Sequence, residues 1–88
     1  MMTKLEEKLK ELGYIQDEHN PYGYYKDCQG FVSIYIYIRF KIKGRVYSIT
    51  RDYEYQFEID NLQRAFDIMQ KDLELLKELK QEDKNYEM

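Results

Sequence analysis

Along residues 32–42 the chain alternates without interruption. Val32, Ile34, Ile36, Ile38, Phe40 and Ile42 are apolar, and Ser33, Tyr35, Tyr37, Arg39 and Lys41 lie between them. Side chains alternate across a strand, so this run predicts one aliphatic face and one face of tyrosines and cations. Lys43-Gly44 follows and separates this run from a second β-patterned one. Placed at the tip of a tight hairpin, those two residues set Phe40 opposite Tyr47, Ile38 opposite Ile49, Ile36 opposite Arg51, Ile34 opposite Tyr53 and Val32 opposite Tyr55. Tyr47, Tyr53 and Tyr55 then fall on the aliphatic side. Arg51 is the misfit in that register and predicts a bulge near Arg51-Asp52 or a specific partner for its charge.

Both ends of the chain show helical periodicity. Leu5, Leu9 and Leu12 share one stripe, Thr3 with Glu6 matches a capping box, and Gly13 supplies a stop. Tyr14 and Ile15 are expected to fold back on that stripe. Residues 16–21 read as a loop ending in proline, and Tyr22–Lys26 as a short edge strand. Asp27-Cys28-Gln29-Gly30 reads as a turn. Near the C-terminus Leu62, Ala65, Phe66, Met69, Leu73 and Leu76 form a long stripe, with Asp60 and Gln63 as its capping pattern. A helix over residues 61–82 would be about 33 Å long and would overhang the sheet. Ile68, Leu75 and Leu79 widen the stripe, either to meet the first helix or to meet a second copy.

These elements predict a single α+β domain over residues 1–82, with 83–88 as a frayed tail. The order is α-β-β-β-α: a three-stranded antiparallel sheet with two helices on one face. Its expected core includes Leu9, Leu12, Ile34, Ile36, Ile38, Phe40, Ile49, Phe57, Phe66, Met69 and Leu73. The other face carries Tyr35, Tyr37, Arg39 and Lys41 beside Ser48, Thr50, Asp52 and Glu54, and is left open.

Composition narrows what that open face can do. The 88 residues carry a formal net charge of -3, yet residues 21–59 hold six basic and four acidic side chains. A chain living by phosphate contacts is usually basic overall. The one cysteine permits no internal disulfide, and the first residues lack the apolar stretch of a signal peptide, so the expected compartment is the cytoplasm. No apolar run approaches the roughly 20 residues that span a bilayer.

The α-β-β-β-α order resembles that of double-stranded RNA-binding domains. That family reaches phosphates with a lysine-rich start to its second helix. Here Asp60-Asn61-Leu62-Gln63-Arg64 supplies one cation, so the resemblance is one of element order and implies no RNA-contacting residue.

Residues suited to catalysis are sparse. His19 stands alone in Asp17-Glu18-His19, where neighbours in a loop seldom converge on one ion, and Cys28 has no activating base at a motif spacing. The four glycines punctuate elements and form no phosphate-cradling loop. The sequence therefore predicts no catalytic residue, no metal and no cofactor. Ten tyrosines are many. Tyr35 and Tyr37 interleaved with Arg39 and Lys41 are the types that anchor protein interfaces, and also the types that stack on single-stranded nucleic acid. The expectation is a non-enzymatic interaction module (a regulator, inhibitor or accessory protein) that binds a protein partner or itself through Tyr35, Tyr37, Arg39 and Lys41. The alternative is a nucleic-acid-binding domain using the same face.

Overall fold

The computed structural model describes the backbone of residues 3–29, 31–48 and 56–87, and side chains over 3–29, 31–48 and 60–80. The elements are α1 (Lys4–Glu11), β1 (Ile15–Asp17), β2 (Asn20–Cys28), β3 (Val32–Tyr37), β4 (Lys43–Ser48) and α2 (Gln56–Glu87). The strands form an antiparallel meander in the order β1-β2-β3-β4. The chain is thus α+β with two helices and an antiparallel sheet, but the sheet has four strands rather than three and the order is α-β-β-β-β-α.

The extra strand is β1, in the segment read as a loop. Its polar residues make the hairpin rather than prevent it. Asp17 Oδ1 accepts from the His19 N–H at 3.0 Å, Asn20 Oδ1 from the Tyr22 N–H at 3.0 Å, and the Gln16 amide donates to the Pro21 carbonyl at 2.9 Å. Such side-chain bonds supply what the backbone lacks in a tight connection. Tyr22–Lys26 becomes part of a nine-residue inner strand, β2, and not an edge.

The hairpin between β3 and β4 also differs from expectation. β3 stops at Tyr37, and residues 38–42 form the connection. Ile34 faces Val46 and Ile36 faces Gly44. The period-two pattern continues through the turn because Ile42 re-enters the core after it, while Phe40 at the tip is 79% exposed. The Lys80 ammonium donates to the Phe40 carbonyl at 2.7 Å and ties the tip to α2. Gly44 is not a turn residue. α2 crosses β4 so closely that a Cβ there would lie 2.9 Å from Met69 Sδ and 3.2 Å from Leu73 Cδ1. In this register Ser48 lies opposite Val32 on the covered side, and Tyr47 lies opposite Ser33 on the open side. The expected partners Ile49, Arg51, Tyr53 and Tyr55, with Thr50, Asp52 and Glu54, lie outside the described residues, as does the Phe57 side chain.

α1 ends as expected. Glu6 N–H donates to Thr3 Oγ1 at 3.1 Å, and Gly13, at φ 97°, closes a Schellman motif with Tyr14 N–H donating to the Leu9 carbonyl at 2.9 Å. α2 begins at Gln56, so Asp60 is inside the helix and not its cap. The core joins Leu9 of α1, Tyr24, Val32, Ile34 and Ile36 of the sheet, and Ala65, Met69, Leu73 and Leu76 of α2. Each buried valine, leucine, isoleucine and methionine among them contributes about 1.5–3 kcal/mol by leaving water. Leu12 and Ile38 are only partly buried, and Phe66 is 44% exposed.

One ionic group sits on this covered side. Lys26 Nζ donates to Asp72 Oδ2 and to the Leu12 carbonyl, both at 3.0 Å, and lies 4.4 Å from the centre of the Tyr14 ring. Tyr14 Oη donates to the same Asp72 oxygen at 2.8 Å. One carboxylate thereby fixes α2 to β2 and to the segment that leaves α1. Burial, then the bond to Asp72, pushes the Tyr14 phenol far above its ordinary range.

Candidate functional site

The face away from the helices is organised by strand pairing. Ile15, Tyr25, Tyr35 and Arg45 form one row across the sheet, Gly23, Tyr37 and Lys43 a second, and Asp27, Ser33 and Tyr47 a third. Tyr35 is the hinge of the arrangement. Its ring lies over Gly23, where an added Cβ would overlap the hydroxyl. The glycine lets the hydroxyl reach across β2 and donate to Asp17 Oδ2 at 2.6 Å. The Tyr35 hydroxyl and then the His19 N–H hold the Asp17 carboxyl below its ordinary value. Burial, then the bond to Asp17, pushes the Tyr35 phenol up to about 12.

Cations flank the tyrosines on the β4 side. The Arg45 guanidinium lies 5.8 Å from the centres of both the Tyr35 and Tyr47 rings. Lys43 stands beside Tyr37 and makes no ion pair with a described residue. Asn20, Tyr35, Tyr37, Lys43, Gly44 and Arg45 line a cleft of about 370 Å³ on this face. The cleft has aromatic walls and a cationic rim, so it can take an anionic group that also offers a flat or apolar surface.

Tyr35 and Tyr37 stand where the alternation put them, half-buried and side by side. Arg39 and Lys41 do not join them in the cleft. Both are exposed on the connection at 38–42, where the Arg39 guanidinium stacks 4.7 Å from the Phe40 ring and 5.2 Å from the Tyr22 ring. Lys43 and Arg45 take the places expected for Arg39 and Lys41. Their own period-two spacing with Tyr47 was the available signal, and the shifted hairpin obscured it. Asp17 and Asn20 had no signal in the sequence, because their role depends on β1.

A second cleft, of about 500 Å³, lies between β2 and α2 and includes Cys28, Arg64 and Ile68. Burial pushes the Cys28 thiol up, which suits an inert group better than a nucleophile. Among the described residues no three His, Cys, Asp or Glu side chains are grouped so as to hold a metal ion, and no helix is long and apolar enough to cross a membrane. Compared with known family models, curated proteins and solved structures, the chain matches none.

Proposed function

We propose that this protein is a small non-enzymatic interaction module, a regulator, inhibitor or accessory protein, that binds an acidic surface of a protein partner through its open sheet face. The cleft formed by Tyr35, Tyr37, Lys43 and Arg45 carries the reading. Tyrosine and arginine are enriched at the energetic centres of interfaces: tyrosine offers a large ring with few rotatable bonds and a polar end, and arginine a planar guanidinium with several donors. Arg39 and Lys41 lie on the connection that precedes β4, outside the cleft. A nucleic acid carries a phosphate at every nucleotide, whereas an acidic protein surface brings a few local charges, so the net charge of -3 weighs more heavily against the nucleic acid. The interleaving of rings and cations supports the second reading, a single-stranded nucleic acid stacked on Tyr35 and Tyr37.

The test compares wild type with Tyr35→Ser/Tyr37→Ser as bait, followed by calorimetry with the partner so identified. The variant is expected to keep a cooperative melting transition and to bind at least about tenfold more weakly, as loss of a central aromatic pair implies. Undiminished binding would remove the face from consideration. Saturable, salt-sensitive binding of single-stranded oligonucleotides would establish the second reading in its place.

A further inference from the structure

The edge of the sheet beside this cleft says how a partner could lie on it. The Ile38 N–H donates to the Tyr22 carbonyl at 2.9 Å, so Tyr22 and Ile38 are a hydrogen-bonded pair. Such pairs alternate along an antiparallel ladder. The even residues of β3 therefore bond to β2, and its odd residues bond to Lys43, Arg45 and Tyr47 of β4. By the same alternation the N–H and C=O of Gly44 and Val46 point away from β3. β4 is the last strand of the sheet, and among the described residues nothing pairs with it on that side.

The surroundings of this edge are two-sided. On the open face stand Lys43, Arg45 and Tyr47. On the covered face α2 presents Met69 and Leu73 to Gly44, whereas Ile68 borders the opposite, β2, side. At about 100° per residue Phe66 lies about 60° beyond Met69, on the flank away from Ile68. It is 44% exposed and sits one turn back towards the Ser48 end of β4. An added strand would thus meet cations and a tyrosine with one set of side chains and an exposed phenylalanine with the other.

Building on the reading of the open face as a docking surface, we propose that the partner supplies an extended segment that pairs with β4 as a fifth strand, its acidic residues over Lys43 and Arg45 and its alternate apolar residues against Phe66. Backbone pairing supplies affinity in this mode and the alternate side chains supply specificity. Charge selects the occupant. A second copy pairing edge to edge would bring Lys43 and Arg45 within one or two strand spacings of the same cations, the arrangement by which natural edges resist self-pairing.

The probes are two synthetic peptides of about eight residues, a usual strand length, one alternating glutamate with valine and the other lysine with valine. Binding is followed by titration, and amide hydrogen exchange is read by NMR on the wild-type chain. The glutamate peptide is expected to saturate and the lysine peptide not to bind. The Gly44 and Val46 amides should exchange more slowly in the complex. Lys43→Glu/Arg45→Glu and Val46→Pro should each weaken binding about tenfold, the first by removing charge, the second by removing an outward N–H that makes no bond to β3. Should Val46→Pro fail to fold, the exchange of the wild-type amides decides alone. Binding without protection of Gly44 and Val46 overturns the added strand and leaves the docking face standing. Failure of the glutamate peptide to bind overturns it too, and the Tyr35/Tyr37 partner test then shows whether the face itself also fails. Protection of these amides that grows with protein concentration, with a doubled mass in solution, assigns the edge to a second copy and overturns the proposal.

Discussion

Lys26 and Lys43 stand on opposite sides of one sheet. Lys26, on the covered side, has a carboxylate of α2, the carbonyl of Leu12 at the end of α1 and the Tyr14 ring within reach. Lys43, on the open side, has no ion-pair partner among the described residues and faces a cleft. The difference is one of solvation. An ammonium under a helix must be satisfied from within, and its partners become a specific clamp, whereas one at a wet edge is satisfied by water and can exchange it for an external anion. The same division runs through the tyrosines, since Tyr14 is held inside by Asp72 and Tyr37 is offered beside Lys43.

The strongest way to break this contrast is to place a charge where none can be matched. Ile36 is fully buried and faces Gly44 under α2. Ile36→Asp is expected to cost more than about 4 kcal/mol, a large part of the 5–15 kcal/mol that holds a typical domain, and to abolish the cooperative melting transition. An unchanged melting temperature would mean that the even positions of β3 do not face the core.

A smaller effect separates the clamp from its charges. Asp72→Ala leaves Lys26 and the Tyr14 hydroxyl facing a void and should cost about 3 kcal/mol, the low end for a broken buried pair because Lys26 keeps some exposure. Removing the whole group with Tyr14→Phe/Lys26→Met/Asp72→Leu should recover most of that loss, since hydrophobic replacements of buried ion pairs are often near neutral. Denaturant midpoints for the single and triple variants decide it. If the triple variant is no better than Asp72→Ala, the group contributes by more than mutual satisfaction.

The even positions of β3 and the stripe of α2 were legible because each follows one period throughout. The turn was not, because Ile38, Phe40 and Ile42 keep the parity of a strand while the chain reverses between them. A glycine beside a lysine suggested the reversal, yet Gly44 is where α2 comes closest, and sequence alone does not distinguish a glycine needed for a turn from one needed for clearance. Lys26 was equally opaque. It stands on the covered face opposite Ile34, and the carboxylate that makes this tolerable lies 46 residues away. The candidate site followed the same pattern, with Tyr35 and Tyr37 set by alternation and their cationic neighbours set by a register that depended on the turn.

The mildest test uses pH to ask whether the β1 side of the open face is satisfied internally while the β4 side is not. Asp17 is held below its ordinary value of 3.8, so its contribution is present above that pH and is lost as pH falls through the folded value. The Tyr35 phenol moves the opposite way, from 10.0 to about 12. Below pH 10 it is neutral folded or unfolded and its contribution is complete; between 10 and about 12 only the unfolded chain ionises, so stability falls as pH rises. Tyr14, also raised, acts on the same alkaline limb. Tyr35→Phe should therefore flatten part of the alkaline fall and, by removing the donor to Asp17, soften the acid one. Asp17→Asn should remove its acid contribution while leaving an alkaline fall from Tyr14. Lys43→Ala and Arg45→Ala should alter neither limb by more than surface charges do. Melting temperatures measured across both limbs separate these outcomes. An acid limb unchanged in Asp17→Asn would mean that the hydroxyl crossing Gly23 does not hold β1 to the sheet.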